Sequence, residues 1–239
     1  MRRAGAAAAA TLAAVGGQLR AGMTTAEIDR LVRADTARRG GRSSQLGYRG
    51  FPAAVCTSRN DVVCHGIPSA RERLRPGDII NVDVTTALGG YHGDTSRTFL
   101  IGEPGPEARH VVEVAARCLQ AGISQLRDGA RLGDIGAAIS ELARAEGCSV
   151  VRDIGGHGIG RHMHMPPHVS HVGQSGTGAR LRAGMALTIE PMINLGGAEV
   201  VELDDGWTIR TADGSLSAQF EHTLLVTQNG CEVMTPQPF

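Results

Sequence analysis

Apolar side chains recur at helical spacing in three segments of the chain. Residues 24–39 carry an apolar face and begin with a capping box of Thr24 and Glu27. Residues 106–127 and 132–146 repeat that spacing; the first begins with Pro106 and the second ends before Gly147. The pattern predicts a helix in each segment.

Five other segments are rich in β-branched residues and bounded by Gly, Pro or Asp, which predicts strands. They are residues 78–86, 91–101, 185–194, 207–210 and 218–227. The turn at residues 88–90 would join the first two strands in a hairpin. Helix pairs followed by hairpins predict an α+β chain rather than a βαβ alternation.

The chain also matches itself when it is shifted by 107 residues (190 − 83). The shift aligns residues 74–77 with 181–184 and lays Asp83 on Glu190. We interpret residues 1–239 as a single catalytic domain with two related halves, about 1–104 and 105–239. Acids at equivalent positions would then face each other across a pseudo-two-fold axis.

The amino-acid composition excludes several classes of function. The 24 basic residues, all arginine, balance 24 acidic residues, so the chain offers neither a nucleic-acid motif nor a polyanion-binding surface. The absence of lysine excludes Schiff-base, P-loop and Ser-Lys mechanisms, because each needs a lysine amine.

Five cysteines, an odd number, predict free thiols in a reducing compartment, which we take to be the cytoplasm. Residues 1–20 imitate a signal peptide but are alanine-rich without a leucine-rich centre, so we predict a surface helix there. No stretch is long enough to span a bilayer, and we expect a monomer without a membrane partner.

Two acids lie in the predicted hairpin. Asp83 is surrounded by β-branched residues, where an unpaired buried carboxylate would cost several kcal/mol. Asp94 begins the returning strand, so both side chains could reach one pocket. The alternative is that Asp94 caps a turn and pairs with Arg97, which we favour for either acid alone but not for the pair.

A histidine among glycines is a second unusual feature. The glycines at 155–160 miss the phosphate-loop spacing because Arg161 occupies the final position, so we exclude a nucleotide site. His157 could instead ligate a metal through one ring nitrogen. By count, His162, His164, His168 and His171 could form a separate zinc site, with the first two on one strand face. We regard that site as a minor alternative, since Pro166-Pro167 interrupts the run.

Glu190 and Glu221 repeat the pattern of an acid inside an apolar run. With Asp83, Asp94 and His157 they form an oxygen-rich set that suits Mn, Fe, Co or Zn. Four negative charges match two divalent cations, whereas a single cation would leave carboxylates repelling each other. The charge balance favours a dinuclear site.

Six segments resemble the motifs of the type I methionine aminopeptidases, in the compact bacterial form. They are residues 63–68, 81–84, 92–96, 156–160, 188–192 and 220–223. The resemblance covers essentially the whole chain and implies a pita-bread fold, with two pseudo-symmetric halves around a curved antiparallel sheet. It also implies removal of the N-terminal methionine from nascent chains with a small second residue, with the ribosome as a candidate place of action.

The resemblance assigns roles by position. It implies that Asp83 is a bidentate ligand of one metal, that Asp94 and Glu221 bridge both, and that His157 and Glu190 bind the other. It further implies catalytic roles for Glu190 and for the non-ligand histidines His65 and His164. The implied methionine pocket comprises Tyr48, Phe51, Cys56, Cys64 and Trp207, with Met163 where the family usually has Phe and Met165 where it usually has Glu.

Three alternatives remain at this point. A proline-specific exopeptidase shares the ligand pattern, but we expect the extra N-terminal domain of prolidases and aminopeptidase P to be absent. A metal-free binding protein on the same scaffold conflicts with the complete ligand set. A non-enzymatic metal store is a weaker hypothesis still.

Cys64 and His65 together could suggest a thiol protease, but neighbouring residues on a strand point to opposite faces.

Overall fold

The computed structural model describes residues 1–237 and contains four α-helices in that range. They are α1 (Arg2–Gly16), α2 (Thr25–Arg38), α3 (Pro106–Ile123) and α4 (Leu132–Ala145). The strands are β1 (Arg42–Ser43), β2 (Cys56–Arg59), β3 (Val62–Cys64), β4 (Ile79–Leu88), β5 (Tyr91–Leu100), β6 (Ser149–Val150), β7 (Gly156–Gly158), β8 (Met165–Val169), β9 (Ala186–Ile189), β10 (Met192–Asn194), β11 (Val200–Glu202), β12 (Ile209–Thr211), β13 (Ser217–Val226) and β14 (Cys231–Val233).

Most strands belong to one large antiparallel sheet. Its main path runs β1-β4-β5-β13-β9-β7-β8, and β2, β6, β10 and β14 pair at its sides. The long strands β4, β5 and β13 lie next to one another, and β4 and β5 form the predicted hairpin. A smaller sheet has the order β11-β12-β3. The α+β prediction is confirmed.

Helix α2 begins as its sequence predicts. The Glu27 backbone N–H donates to Thr24 Oγ1 at 3.2 Å, and Glu27 Oε2 accepts from the Thr24 backbone N–H at 2.7 Å. Helix α3 begins at Pro106, where a missing N–H costs nothing, but it ends at Ile123 rather than at residue 127. Tighter three-residue turns follow, with Leu126 N–H donating to the Ile123 carbonyl.

The helix predicted at the N-terminus is present as α1, with Arg3, Ala6 and Ala13 exposed on its outer face. Helix α1 buries Ala4, Ala8, Leu12 and Val15 in the protein interior. Glycines permit the close approach, because a Cβ on Gly93 of β5 would lie 2.4 Å from the backbone nitrogen of Gly5. The small side chains that imitate a signal peptide thus allow the helix to pack tightly on the sheet.

The strand predicted at residues 185–194 is broken in two. β9 ends at Ile189 and β10 begins at Met192, because Pro191 has no N–H for the ladder. Both parts nevertheless pair with β13 in one continuous register, with Ile189 opposite His222 and Met192 opposite Gln219. The break therefore leaves Glu190 at its expected place in the sheet.

The 107-residue shift corresponds to repeated structure. It maps α2 onto α4 residue for residue, and an isolated bridge between Thr24 and Arg73 onto one between Arg131 and Arg180. Each half also has its own hydrophobic core, with Ile28 in one and Ile135 in the other. The exact division near residue 104 stays a prediction.

One further expectation fails in the segment after His157. His162 and His164 do not share a strand face, because both lie in the bend that precedes β8. Pro166 and Pro167 lie within the bounds of β8 but do interrupt its pairing, because the register against β7 passes from His168 opposite His157 to Met165 opposite Gly158. No helix within residues 1–237 is both long and apolar enough to cross a membrane.

Candidate active site

The register of the central strands places three acids in one row. Asp83 of β4 lies opposite Ser96 of β5, and Glu221 of β13 lies opposite Ser96 from the other side. The continuous register of β9 and β10 against β13 then puts Glu190 across from Glu221. Cross-strand partners project from the same face, so all three acids reach the same side of the sheet.

A parallel row lies two residues away on the same face. Thr85 is opposite Asp94, whose backbone N–H donates to Thr223 Oγ1 at 2.9 Å. Thr223 is opposite Thr188, whose Oγ1 accepts from the His157 backbone N–H at 2.9 Å. Asp94 and His157 therefore join the three acids of the first row.

The side chains converge on a small volume. Ligand atoms of Asp94, His157 and Glu221 all lie within 4.8 Å of one another. His157 Nε2 is 3.8 Å from Asp94 Oδ2 and 3.7 Å from Glu190 Oε1. His157 Nδ1 is 3.0 Å from the Gly158 carbonyl, which can only accept, so Nδ1 carries the hydrogen and the Nε2 lone pair faces the acids.

The acids are buried close together and repel one another. Burial raises the pKa of Glu190 to about 8, with the nearby Asp94 adding to the effect. Burial, followed by repulsion from Asp94, also raises the pKa values of Asp83 and Glu221 well above their ordinary range. Asp83 Oδ1 is buried without a hydrogen-bond partner. A set of four carboxylates and one imidazole with an unused oxygen fits a divalent metal.

Neutral groups around the acids hold their orientation. Thr85 Oγ1 donates to Asp94 Oδ1 at 2.6 Å, and Thr188 Oγ1 donates to Glu190 Oε1 at 2.8 Å. Gln219 Nε2 donates to Glu190 Oε2 at 3.3 Å. Sequence reasoning missed all three groups, although each threonine lies two residues from an acid on the same strand face.

A cavity of about 490 Å³ opens above this cluster. The six pocket residues and the two catalytic histidines make eight residues expected to contact substrate, and seven of them line the cavity: Tyr48, Phe51, Cys56, His65, Met163, His164 and Trp207. Cys64 does not; it is buried behind the cavity in an apolar cluster with Val151, Met192 and Ile209. Lining residues that the sequence analysis missed are Gln45, Arg49, Thr85 and Gly206.

His65 reaches the cavity by a conformation that sequence did not predict. β3 ends at Cys64, and His65 has a left-handed backbone with φ of 56°. The alternation of side chains along a strand therefore does not apply to Cys64 and His65. The left-handed turn at His65, rather than the strand, directs the thiol and the imidazole apart. Burial lowers the pKa of His65, which favours a neutral ring.

His171 is a further residue that the sequence analysis undervalued. Its ring is buried and its Nε2 accepts a hydrogen bond from the Glu190 backbone N–H at 3.1 Å. Burial lowers the pKa of His171 to about 3, which keeps that acceptor unprotonated. His162 and His168 are exposed instead, and within residues 1–237 no group of three potential ligands forms from the histidine run alone.

Known proteins share this architecture. Residues 1–228 match the sequence model of metallopeptidase family M24. The chain is 52% identical over 235 residues to methionine aminopeptidase A of Synechocystis sp., covering 98% of this chain and 93% of that protein. The crystal structure of methionine aminopeptidase from Rickettsia prowazekii superimposes with a TM-score of 0.97 at 44% identity, covering 98% of this chain and 95% of that one.

A more distant neighbour shares the fold. Prolidase from Pyrococcus furiosus gives a TM-score of 0.81 at 19% identity, covering 100% of this chain and 63% of that one. The predicted pita-bread architecture is confirmed by these neighbours together. Since the family match spans nearly the full length and the metal-ligand types lie together on one sheet face, the chain belongs to metallopeptidase family M24.

Proposed function

We propose that the protein is a metallo-aminopeptidase that removes N-terminal methionine from proteins and peptides with a small second residue. The observation that carries the proposal is the position of the acid and imidazole cluster in a cavity that has one apolar wall. The cluster suits hydrolysis, and the apolar wall suits an uncharged side chain. The identity with methionine aminopeptidase A of Synechocystis sp. supports the same substrate.

The proposed cofactor is two divalent ions, chosen from Co, Mn, Fe and Zn. Asp83 would bind one ion, His157 and Glu190 the other, while Asp94 and Glu221 would bind both. The unpartnered oxygen of Asp83 and the raised pKa values of the acids support this charge balance. Bound divalent ions supply Lewis acidity and lower the pKa of water towards neutrality.

Three side chains would handle protons and charge during hydrolysis. Glu190, held by Thr188 at 2.8 Å, would accept and return a proton. His164 would donate to the oxygen of the scissile carbonyl as negative charge develops there. His65, which lines the same cavity, would hydrogen-bond the peptide nitrogen.

The apolar wall would select methionine. Phe51 and Trp207 meet edge to face with ring centroids 5.0 Å apart, and Cys56 lies in the same cluster. The buried Met163 also lines the cavity. Aromatic and sulfur-containing walls contact a thioether favourably.

We further propose that the enzyme acts as a monomer in the cytoplasm on nascent polypeptide N-termini, with the ribosome as one place of action. All five cysteines are free, and four of them are buried, which supports a reducing compartment. Oligomeric state is tested directly by light scattering.

One comparison tests the central proposal. Metal-free protein is supplied with Mn²⁺, Co²⁺, Fe²⁺ or Zn²⁺ in turn and assayed for methionine release from Met-Ala-Ser. We expect release that depends on added metal, and no cleavage of Xaa-Pro peptides. Cleavage of Xaa-Pro peptides without release of methionine would make the protein a proline-specific exopeptidase instead.

A further inference from the structure

The phenol of Tyr48 contacts the catalytic histidine rather than serving as a pocket wall alone. Tyr48 begins a one-turn 3₁₀ helix, Tyr48–Gly50, and His164 lies in the bend before β8. Tyr48 Oη is 2.9 Å from His164 Nδ1, and the ring centroids are 5.0 Å apart. Both residues line the cavity, so the contact lies where a substrate would bind.

The contact decides which nitrogen of His164 is free. With Nδ1 held by Tyr48, Nε2 is the nitrogen left to face the cavity. A neutral imidazole carries one hydrogen, so Nε2 can donate to a substrate oxygen only when Nδ1 acts as an acceptor. A phenol hydroxyl can donate to that acceptor.

Ring contacts also restrain the orientation of His164. The His157 ring meets the His164 ring edge to face with centroids 4.2 Å apart. The Arg49 guanidinium lies 5.4 Å from the centroid of the Tyr48 ring. The His164 ring thus packs against both Tyr48 and His157, while Arg49 packs on the Tyr48 ring.

We propose that Tyr48 is a positioning residue whose hydroxyl donates to His164 Nδ1 and thereby holds the hydrogen of His164 on Nε2, aimed at the substrate carbonyl. The inference rests on the proposed function, because it assigns His164 the oxyanion of peptide hydrolysis. The same hydrogen bond restrains the ring, so Tyr48 acts on both tautomer and orientation.

Deleting the hydroxyl alone separates this role from packing. Tyr48→Phe keeps the ring that lines the cavity, and we expect it to lower kcat about tenfold, the scale of one lost hydrogen bond, with KM for Met-Ala-Ser and metal content unchanged. Tyr91→Phe is the matched control, because Tyr91 is the other tyrosine of the chain and contacts Arg161 instead. Wild-type kcat in Tyr48→Phe would overturn the proposal.

A double variant tests whether Tyr48 acts through His164. In a His164→Ala background, adding Tyr48→Phe should change kcat no further, since the acceptor of the hydrogen bond is already gone. A second, full tenfold loss in that background would show that the hydroxyl acts independently of His164, and the proposal would be wrong.

Nitrogen NMR of the zinc-loaded, histidine-labelled protein reads the tautomer directly. His164 is assigned by loss of its signals in His164→Ala. We expect an unprotonated Nδ1 and a protonated Nε2 in the wild type, and a mixture of tautomers in Tyr48→Phe. A protonated Nδ1 in the wild type would refute the inference even if the protein releases methionine. If it releases none, the proposed function fails, while the nitrogen shifts still decide the tautomer.

Discussion

Replacing Glu190 with Gln should stabilise the metal-free protein, although the residue is proposed to bind metal. Burial raises the pKa of Glu190 from its ordinary value of 4.5 to about 8. Between these values the folded state holds a proton that the unfolded chain releases, so the stability of metal-free protein falls as pH rises. Glutamine carries no charge and removes this dependence at the site.

The size of the effect follows from the pKa shift. A pH of 7 lies about 2.5 units above the ordinary pKa of Glu190. Keeping the buried carboxyl protonated at that pH costs roughly 3 kcal/mol of folding free energy. Glutamine keeps the Thr188 hydrogen bond but loses the one from Gln219 Nε2 at 3.3 Å, which offsets about 1 kcal/mol. The net gain of about 2 kcal/mol corresponds to a rise of ~4–8 °C in Tm.

Thermal unfolding followed by circular dichroism in a chelator measures this difference at pH 5, 6, 7 and 8. The gap between Glu190→Gln and wild type should widen with pH, while Glu113→Gln, at an exposed position of α3, should show none. Saturating Mn²⁺ should reverse the order, because only the wild type keeps its full ligand set. A variant no more stable than wild type at pH 7, or a gap that stays constant with pH, would refute the reasoning.

Three further predictions concern the same site. Asp94→Asn should reduce turnover severely, because an amide cannot bridge two cations as a carboxylate does; full activity measured with Met-Ala-Ser would contradict the dinuclear proposal. Elemental analysis should find little metal in His157→Ala, whereas His164→Ala should keep its metal and lose about two orders of magnitude in kcat. Loss of metal from His164→Ala would show that His164 is a metal ligand and contradict these assignments. His171→Ala should weaken metal binding measured by calorimetry, and His171→Gln should restore much of the affinity, because the Gln carbonyl can accept from the Glu190 N–H. The exposed His168→Ala is the control, and equal metal affinities in all three variants would show that His171 does not position Glu190.

Local sequence determined much of the fold because its causes are local. The capping box of Thr24 fixes the start of α2 through contacts within one turn. The glycines at residues 89 and 90 have φ of 61° and 80°, which closes the β4–β5 hairpin as predicted. An acid among β-branched residues also marks a site by itself, since burying its charge demands compensation.

Tertiary structure decided which residues meet. The acid row exists because β5 pairs with β4 on one side and β13 on the other, and no local pattern states that register. The same applies to Tyr48 and His164, which are 116 residues apart, and to His171 behind Glu190. Sequence periodicity shows which face a side chain occupies, whereas contact across a sheet depends on long-range pairing and on how closely helices approach it.

The burial of α1 shows the same limit. Its alanines predict a helix but not its partner, because a weakly apolar face suits either the surface or a tight contact. The contact is decided by Gly5 and Gly93, which let helix and strand backbones approach. One-dimensional patterns therefore determined the elements and the chemical types of the site, while packing between distant segments determined its geometry.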